Sequence, residues 1–516
     1  MTVGPWSVAV EREAKLVAPL ALVLPDLSGV LPGVRATAGP DQRLVATYYD
    51  TPDLRLARAG CTVRHRSGEG RGPRWTVKLP AGADPSTISR REVSVDGSEA
   101  RVPDLVSDLV LAIRRHDPIG RVARLETLRR QLSLVGPGDE RLADVADDTV
   151  RASCVGSADH TFREVELELV DADDGARELV AAVVARLVGA GCRAGRPLPK
   201  LVRALGDPAL LPADVVVPDV ARDATAAELV RHALARSVAA IARHDPGVRI
   251  GDDEEEVHDF RVATRRLRSD IRSFAPLLDA ARLASLVPEL RWLGSLVGAL
   301  RDVDVLRGRL ASDLARLPRD AGRDASAVRS RLDQDAVAAR GRLLAGMRDA
   351  RYVRLLDALV SLASSPPIRP RSRSAQAPGA DVVRAVARRP WRRLAAAAAS
   401  LGDSPSDADL HRVRILAKRC RYAAEAVAPV AGSGAARFAA AVADLQTLLG
   451  DHQDSVVARS YFATSFPPGG RDAGDGERDR LVAELVAAED ARRTRLRSRW
   501  PAAWDAASAK SLRRWM

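Results

Sequence analysis

Aromatic side chains are scarce in this chain: Phe, Trp and Tyr make up 3% of its 516 residues. That argues against gripping single-stranded nucleic acid by base stacking, which needs exposed rings. Cysteine is scarcer, with only Cys61, Cys154, Cys192 and Cys420. No two of them have zinc or dithiol spacing, which favours a reducing compartment. No uncharged apolar run reaches the roughly 20 residues of a bilayer span. The opening MTVGPWSVAVERE lacks a basic segment followed by an apolar one, so no secretory leader is expected. The expectation is a cytoplasmic protein without a membrane partner. A G-x-x-x-x-G-K-[ST] phosphate loop is missing, as is any Ser/His/Asp or Cys/His catalytic set, which excludes a P-loop nucleotidase.

Charge is plentiful. Lys and Arg number 80 against 68 Asp and Glu, a formal +12, within a globular composition of 46% hydrophobic residues. Such a balance favours an anionic partner: nucleic acid, polyphosphate, phosphorylated ligands or a membrane surface. The length predicts two or three domains.

Residues 1–205 read as strand-rich. Short alternating runs recur at 7–15, 43–50, 60–66, 73–79, 90–95, 121–135, 142–152 and 161–170, with helical stretches near 101–116 and 173–191. That rhythm predicts an antiparallel sheet or barrel. A Pro-rich segment, 206–222, reads as a linker. From Thr225, where Thr225-x-x-Glu228 forms a capping box, the period becomes helical, with breaks at 246–256, 366–380, 402–409 and 466–475. The helical part, 223–510, divides into halves at about 223–365 and 381–510, and the halves repeat. HDFRVATRRLRSDIRSFAP (258–276) aligns without gaps on HRVRILAKRCRYAAEAVAP (411–429), and ALRDVDVL (299–306) answers LLGDHQDSVV (448–457) more loosely. The fold class expected is therefore α+β and multidomain: a β-structure followed by an all-α domain of two pseudo-twofold-related helical bundles.

EREAK, 11–15, puts Glu11, Glu13 and Lys15 on one side of a strand, because side chains alternate. An inward charged face makes sense only if the sheet closes around water and ligand. Other strands repeat the pattern: Arg64 and Arg66 in TVRHR, Lys78 in WTVKLP, Arg90 and Glu92 in RREVSV, and Glu164, Glu166 and Glu168 in REVELEL. Taken singly, each strand could equally be solvated.

VEREAK, TYYDTPDLRLARAGCTVRHR, WTVKLP, REVELEL and the closing LPKLVRAL, in this order, resemble the CYTH or triphosphate tunnel metalloenzyme superfamily over residues 1–205. The resemblance implies an eight-stranded antiparallel tunnel that binds a linear triphosphate with Mg²⁺ or Mn²⁺ and hydrolyses or transfers at it. By correspondence Lys15, Arg64, Arg66, Lys78, Arg124 and Lys200 would bind the substrate. Glu11, Glu13, Glu166 and Glu168 would hold metal, with Glu164 and Asp148 as further candidates. Glu11, Glu13 and Lys15 would carry catalysis. Hard divalent cations take such oxygen donors, and they let carboxylates share a cavity with phosphate. Two departures stand out: Glu126 occupies a place where a second base is expected, leaving Arg129 or Arg130 open as the inward base, and Pro199 replaces the usual Ser.

On a helix, His258, Arg261, Arg265, Arg268 and Arg272 share one stripe, opposite Phe260 to Phe274. One such helix is ordinary solvated surface, but like charges kept in register across two copies suggest a shared anion. The paired H-x-x-R-x-x-x-[RK]-R helices resemble the CHAD domain over 223–510. The resemblance implies a basic surface or cavity for inorganic polyphosphate, formed by His258, Arg261, Arg265, Arg268, His411, Arg414, Lys418 and Arg421, and association with polyphosphate granules. Asp302 and Asp304 are expected to hold the Arg rows. The function expected is a metal-dependent triphosphatase whose helical domain binds polyphosphate. The alternative is a polyphosphate-binding scaffold whose tunnel does not turn over, and nucleic-acid binding is disfavoured for want of a recognised motif.

Overall fold

The computed structural model describes residues 6–68, 72–80, 88–170, 174–194, 198–315, 321–369, 376–402, 404–467 and 473–516. The side chains of 8–13, which include Glu11 and Glu13, lie outside what is described. The chain divides into two units, Met1–Asp214 and Val215–Met516.

In the first unit, eight strands form a closed antiparallel ring: β1 (Trp6–Ala18), β3 (Gln42–Asp50), β4 (Thr62–Ser67), β5 (Arg74–Pro80), β6 (Ile88–Asp96), β7 (Gly120–Val135), β8 (Arg141–Cys154) and β9 (His160–Leu169). Around the ring the order is β1-β6-β5-β4-β3-β7-β8-β9, and β9 pairs back onto β1. Two short strands that alternation does not reveal, β2 (Arg35–Ala38) and β10 (Arg193–Ala194), extend β7 and β1. Closure removes the exposed sheet edges.

One apolar core lies outside this ring, and a second, which includes the inward-facing Ala46, Leu125 and Val150 with Leu201, packs beside the internal cavity. Leu16, Val145, Val165 and Leu167 point outward and are covered by Leu179, Val183 and Leu187 of α1 (Asp174–Gly189) and by Leu27 and Val34. Val165 and Leu167 alternate with Glu164 and Glu166, so burying the first pair against α1 turns the second pair inward. The expected linker is shorter than 206–222. Ala209 is buried in the first unit, and Asp214 pairs with Arg58 at 3.0 Å, so that unit holds the chain as far as Asp214.

A short helix of the first unit, α2 (Lys200–Leu205), packs on the barrel. The second unit is helical, with α3 (Ala226–Ile250), α4 (Glu254–Ser273), α5 (Leu286–Leu314), α6 (Ala321–Arg348), α7 (Ala350–Ser364), α8 (Gly379–Ala399), α9 (Asp407–Ala431), α10 (Ser433–Ser465) and α11 (Ala473–Ala507). α3 runs through Pro246 to Ile250, so the break expected at 246–256 narrows to the turn at Gly251, a left-handed position that glycine fills without strain. The capping box is formed: Glu228 N–H donates to Thr225 Oγ1, and Thr225 N–H donates to the Glu228 carboxylate. The duplication has a physical axis. Thr225 pairs with Pro378, Ala226 N–H donates to Ala377 at 3.0 Å, and Gly379 N–H donates to Ala224 at 2.8 Å. Thr225 and Pro378 are separated in sequence as His258 is from His411, and at that offset Ala226 answers Gly379 and Ala224 answers Ala377, so the two hydrogen bonds are each other's equivalents, as across a twofold axis. Leu306 and Leu310 of α5, Val328 and Leu332 of α6, Phe462 of α10 and Leu485 of α11 share one core that joins the halves. α5 contains a stretch long and apolar enough to cross a membrane; within the bundle its Leu290, Leu293 and Val297 are fully buried.

Leu167→Ala opens a cavity between the ring and α1. It is expected to lower stability by about 2–5 kcal/mol in urea unfolding, whereas truncating exposed Leu128 on β7 changes it little.

Candidate active site and basic helical cluster

Inward-facing side chains surround a cavity of about 260 Å³ within the barrel. Its lining includes Lys15, Tyr48, Arg64, Arg66, Lys78, Arg90, Thr127, Arg129, Asp148, Glu166, Glu168 and Lys200. The charges are sorted by strand. Arg64 and Arg66 on β4, Lys78 on β5 and Arg90 on β6 make a basic wall over three adjacent strands, and Asp148 on β8 with Glu164, Glu166 and Glu168 on β9 makes an acidic wall.

Three bases join the acidic wall. Lys200 Nζ reaches Asp148 at 2.9 Å, Glu164 at 2.9 Å and Glu166 at 2.6 Å. Lys200 opens α2, where the helix dipole disfavours a cation, and three carboxylates offset that. Arg129 donates to both Asp148 oxygens, at 2.9 and 2.7 Å, and to Glu166 at 3.1 Å. Lys15 pairs with Glu166. Burial pushes the Glu166 carboxyl upward, but Lys15, Lys200 and Arg129 outweigh it and hold Glu166 well below the ordinary range. Asp148 is lowered in the same way by Lys200 and Arg129 against its burial. Burial pulls Lys200 down, yet Glu164, Glu166 and Asp148 raise it well above its ordinary value. On the basic wall, Lys78 and Arg64 approach Glu92 at 3.1 and 3.9 Å.

Strand parity corrects one assignment. Arg124 faces away from the cavity, is exposed, and pairs with its neighbour Glu126 at 3.3 Å. The β3–β7 register runs unbroken from Arg124 to Arg129, and its one irregularity lies beyond, at Tyr48/Tyr49. Arg124 and Arg129 therefore occupy opposite faces, and Arg129 is the inward base where the sequence left Arg129 or Arg130 open; Arg130 is exposed. Arg90 and Tyr48 are lining residues absent from the expected set. The Arg90/Glu92 spacing signals the first, whereas Tyr48 is an inward residue of a strand that otherwise offers Leu44 and Ala46. Burial raises the Tyr48 phenol, but adjacent Arg64 brings it below its ordinary value.

The donor set was tested for a divalent cation. Among the described residues no group of three His, Cys, Asp or Glu side chains is placed to hold a metal ion; Asp148, Glu164 and Glu166 converge instead on the Lys200 ammonium. The donors available are all carboxylate oxygens, and Glu13 sits opposite Glu168 in the β1–β9 register. That chemistry fits a hard cation. Glu11 and Glu13, the other expected ligands, have side chains outside the described residues.

In the helical unit the basic stripe is half-buried from His258 to Arg268, and Arg272 at its end is exposed. Lys418 is pushed down to about 6 by burial and then by the charges of Arg265, Arg414 and Arg261, which brings both copies' stripes into one cluster. Each copy holds one arginine alike. Arg261 pairs with Asp302 at 3.0 Å beside Gly298, and Arg414 approaches Asp454 at 3.9 Å beside Gly450. Each glycine lies one turn before its Asp, which leaves room for the arginine to lie across the helix. Asp302 holds the row as expected. Asp304 does not: it is buried among Glu254, Arg301, Arg307 and Arg340 and is raised to about 6, chiefly by burial. Burial and then Arg301 lower His258. His411 is half-buried, Arg268 lies near Arg291 and Arg265, and Arg421 is tied to Glu425 at 2.7 Å.

Lys200→Met leaves three buried carboxylates without their shared cation, at an expected cost of about 3–5 kcal/mol near pH 7. The folded values of Asp148 and Glu166 are depressed, so the wild-type advantage they carry exists above the unfolded carboxylate range near 4 and is lost as pH falls through the folded values. Denaturant unfolding of wild type and variant at pH 7 and pH 3 checks this; equal gaps at both values contradict it.

A family profile for the CYTH domain matches residues 9–183, and one for the CHAD domain matches 232–463. Two uncharacterised proteins from two strains of Mycobacterium tuberculosis are each 35% identical over 474 residues, 88% of this chain and 88% of theirs. Among solved structures, the CHAD domain from the plant Ricinus communis is 29% identical over 55% of this chain and 95% of its own, with a TM-score of 0.43. A Hippeastrum protein with a dominant triphosphatase activity is 15% identical over 37% of this chain and 94% of its own, with a TM-score of 0.23. With a charged barrel in the first unit and a duplicated helical bundle in the second, this chain belongs to the triphosphate-tunnel family of proteins that join a CYTH domain to a CHAD domain.

Proposed function

We propose that the barrel is a metal-dependent phosphohydrolase for inorganic triphosphate or another triphosphate-bearing compound, and that the helical unit binds inorganic polyphosphate. The observation that carries the first reading is the sorting of charge inside the closed ring: a basic wall on β4, β5 and β6 faces an acidic wall on β8 and β9. A linear triphosphate carries charge along its length and needs cations spread over more than one strand. Arg64, Arg66 and Arg90 offer forked donors, and Lys78 a compact charge. Lys15, Arg129 and Lys200 would turn from the carboxylates towards the phosphate oxygens and stabilise charge as the bond to the leaving phosphate breaks. Glu166 and Glu168, with Glu11 and Glu13, would hold Mg²⁺ or Mn²⁺. When bound, the ion supplies charge neutralisation between the acidic wall and the substrate and activates water.

The non-catalytic reading has one observation in its favour, that Glu166 and Asp148 are already engaged by Lys15, Arg129 and Lys200. Phosphate release from tripolyphosphate with Mg²⁺ or Mn²⁺ separates the two. Arg129→Ala is expected to lower kcat/KM by about 100-fold or more, the scale of losing one oxyanion donor, and Arg124→Ala to stay within about twofold. Equal losses would sink the parity assignment, and an inert wild type would leave the binding role alone.

For the helical unit, the support is the joint cluster of Arg261, Arg265, Arg414 and Lys418. Lys418 titrates about 6 when folded and near 10.4 unfolded. Between those values the unfolded chain holds more protons, so this residue makes stability rise with pH over that range. A polyanion restores the charged form. Polyphosphate binding near pH 8 is therefore expected to take up as much as about one proton, and Lys418→Met to abolish the uptake. Calorimetry in two buffers of different ionisation heat measures it.

A further inference from the structure

A second basic surface lies on α8, outside the duplicated stripe. Arg384, Arg388, Arg389, Arg392 and Arg393 line a cavity of about 360 Å³ together with Ala385. Their spacing sets them in two adjacent columns over about 13.5 Å of helix. The opposite face, Val382, Val383, Val386, Ala387 and Leu394, is buried. All five arginines are exposed. Arg388 donates to the main-chain oxygen of Met516 at 3.0 Å, and none of the five pairs with a carboxylate among the described residues. Exposed basic helices ordinarily intersperse acids at three- or four-residue spacing; here Asp381, one turn before Arg384, is the one acid on the face and pairs with none of the five arginines among the described residues. Its base is rigid, because Trp391 stacks on Trp504 at 5.6 Å and meets Phe438 edge-on at 5.7 Å.

The other copy shows what is particular here. At the repeat's separation Arg384 and Arg389 answer Arg231 and Arg236 of α3, but Arg388, Arg392 and Arg393 answer Ala235, Ala239 and Ala240. In α3 those alanines are buried or half-buried in the bundle. A face closed by packing in one copy is open in the other and carries five guanidinium groups against the single carboxylate of Asp381.

We infer that this arginine face of α8 is a docking surface for inorganic polyphosphate, separate from the α4–α9 cluster, so that one long chain engages the helical unit at two places. The choice of polyanion rests on the polyphosphate reading of that cluster. The chemistry of the face supports it. No exposed apolar side chain larger than Ala385 is there to enter a bilayer. No free aromatic ring is there to stack a base, since Trp391 is tied beneath, and no Asn or Gln is there to read a base edge. What remains recognises phosphate charge only, at a density suited to a flexible, unbranched phosphate chain.

The test uses the full chain with long-chain polyphosphate, tripolyphosphate and a duplex DNA as probes. R388A/R392A/R393A gives α8 the alanines its counterpart already carries, and alanine favours helix; circular dichroism verifies the fold. The expected result is at least tenfold weaker binding of the long chain and a smaller salt dependence, by about two to three released counterions, with tripolyphosphate binding unchanged. R265E/K418E separates the two readings. If it abolishes long-chain binding while the α8 variant alters neither affinity nor salt slope, the inference falls and the cluster reading survives. If neither variant changes binding, both fall. If the α8 variant loses duplex DNA but keeps polyphosphate, the surface belongs to nucleic acid and the inference is overturned.

Discussion

The barrel depends on one arrangement: carboxylates and bases buried together inside a closed ring. Burying single charges is costly, and buried ion pairs often fail to repay their desolvation. Glu166 therefore has three cations around it and Lys200 three carboxylates. Such a network contributes little net stability compared with an apolar filling of the same volume. Its persistence in the interior of the ring is what a ligand site requires: preorganised charge, little water and a low dielectric. One apolar core lies outside, under α1, and a second, with Ala46, Leu125 and Leu201, shares the interior with the charged cavity.

The helical unit uses charge in the opposite way. Its two copies set like-charged stripes against each other near a pseudo-twofold axis fixed by main-chain bonds between Ala224, Ala226, Ala377 and Gly379. Asp302 and Asp454 only partly offset the arginines, and Lys418 is left easier to deprotonate than an ordinary lysine. An arrangement that is electrostatically unfavourable when empty has affinity in reserve for a multivalent anion. The barrel ties much of its inward charge into ion pairs and the bundle does so only in part, in keeping with the roles proposed for the two units.

The main strands and the duplicated helices were legible from periodicity alone, because alternation and helical spacing are local properties of the chain. All eight ring strands coincide with alternating runs, and the reciprocal contacts give physical form to the His258/His411 alignment. That β9 has one acidic and one apolar face was also legible, since Glu164, Glu166 and Glu168 alternate with Val165, Leu167 and Leu169; that the acidic face turns inward was expected only from the family resemblance. β2 and β10 were not, because two to four residues carry no measurable period.

Sequence by itself determined which residues are charged, which strands carry them two apart, and that the helical half is built twice. Only the tertiary structure decided which way each charge points. Arg124 and Arg129 sit in the same basic run, and their sides follow from an unbroken register with β3 that no local pattern encodes. Whether a stripe of arginines is solvated, as on α8, or half-buried against its own repeat, as on α4 and α9, likewise depends on which helices cover it. Covering is decided by contacts between residues far apart in the chain, and those exist only once the chain has closed on itself.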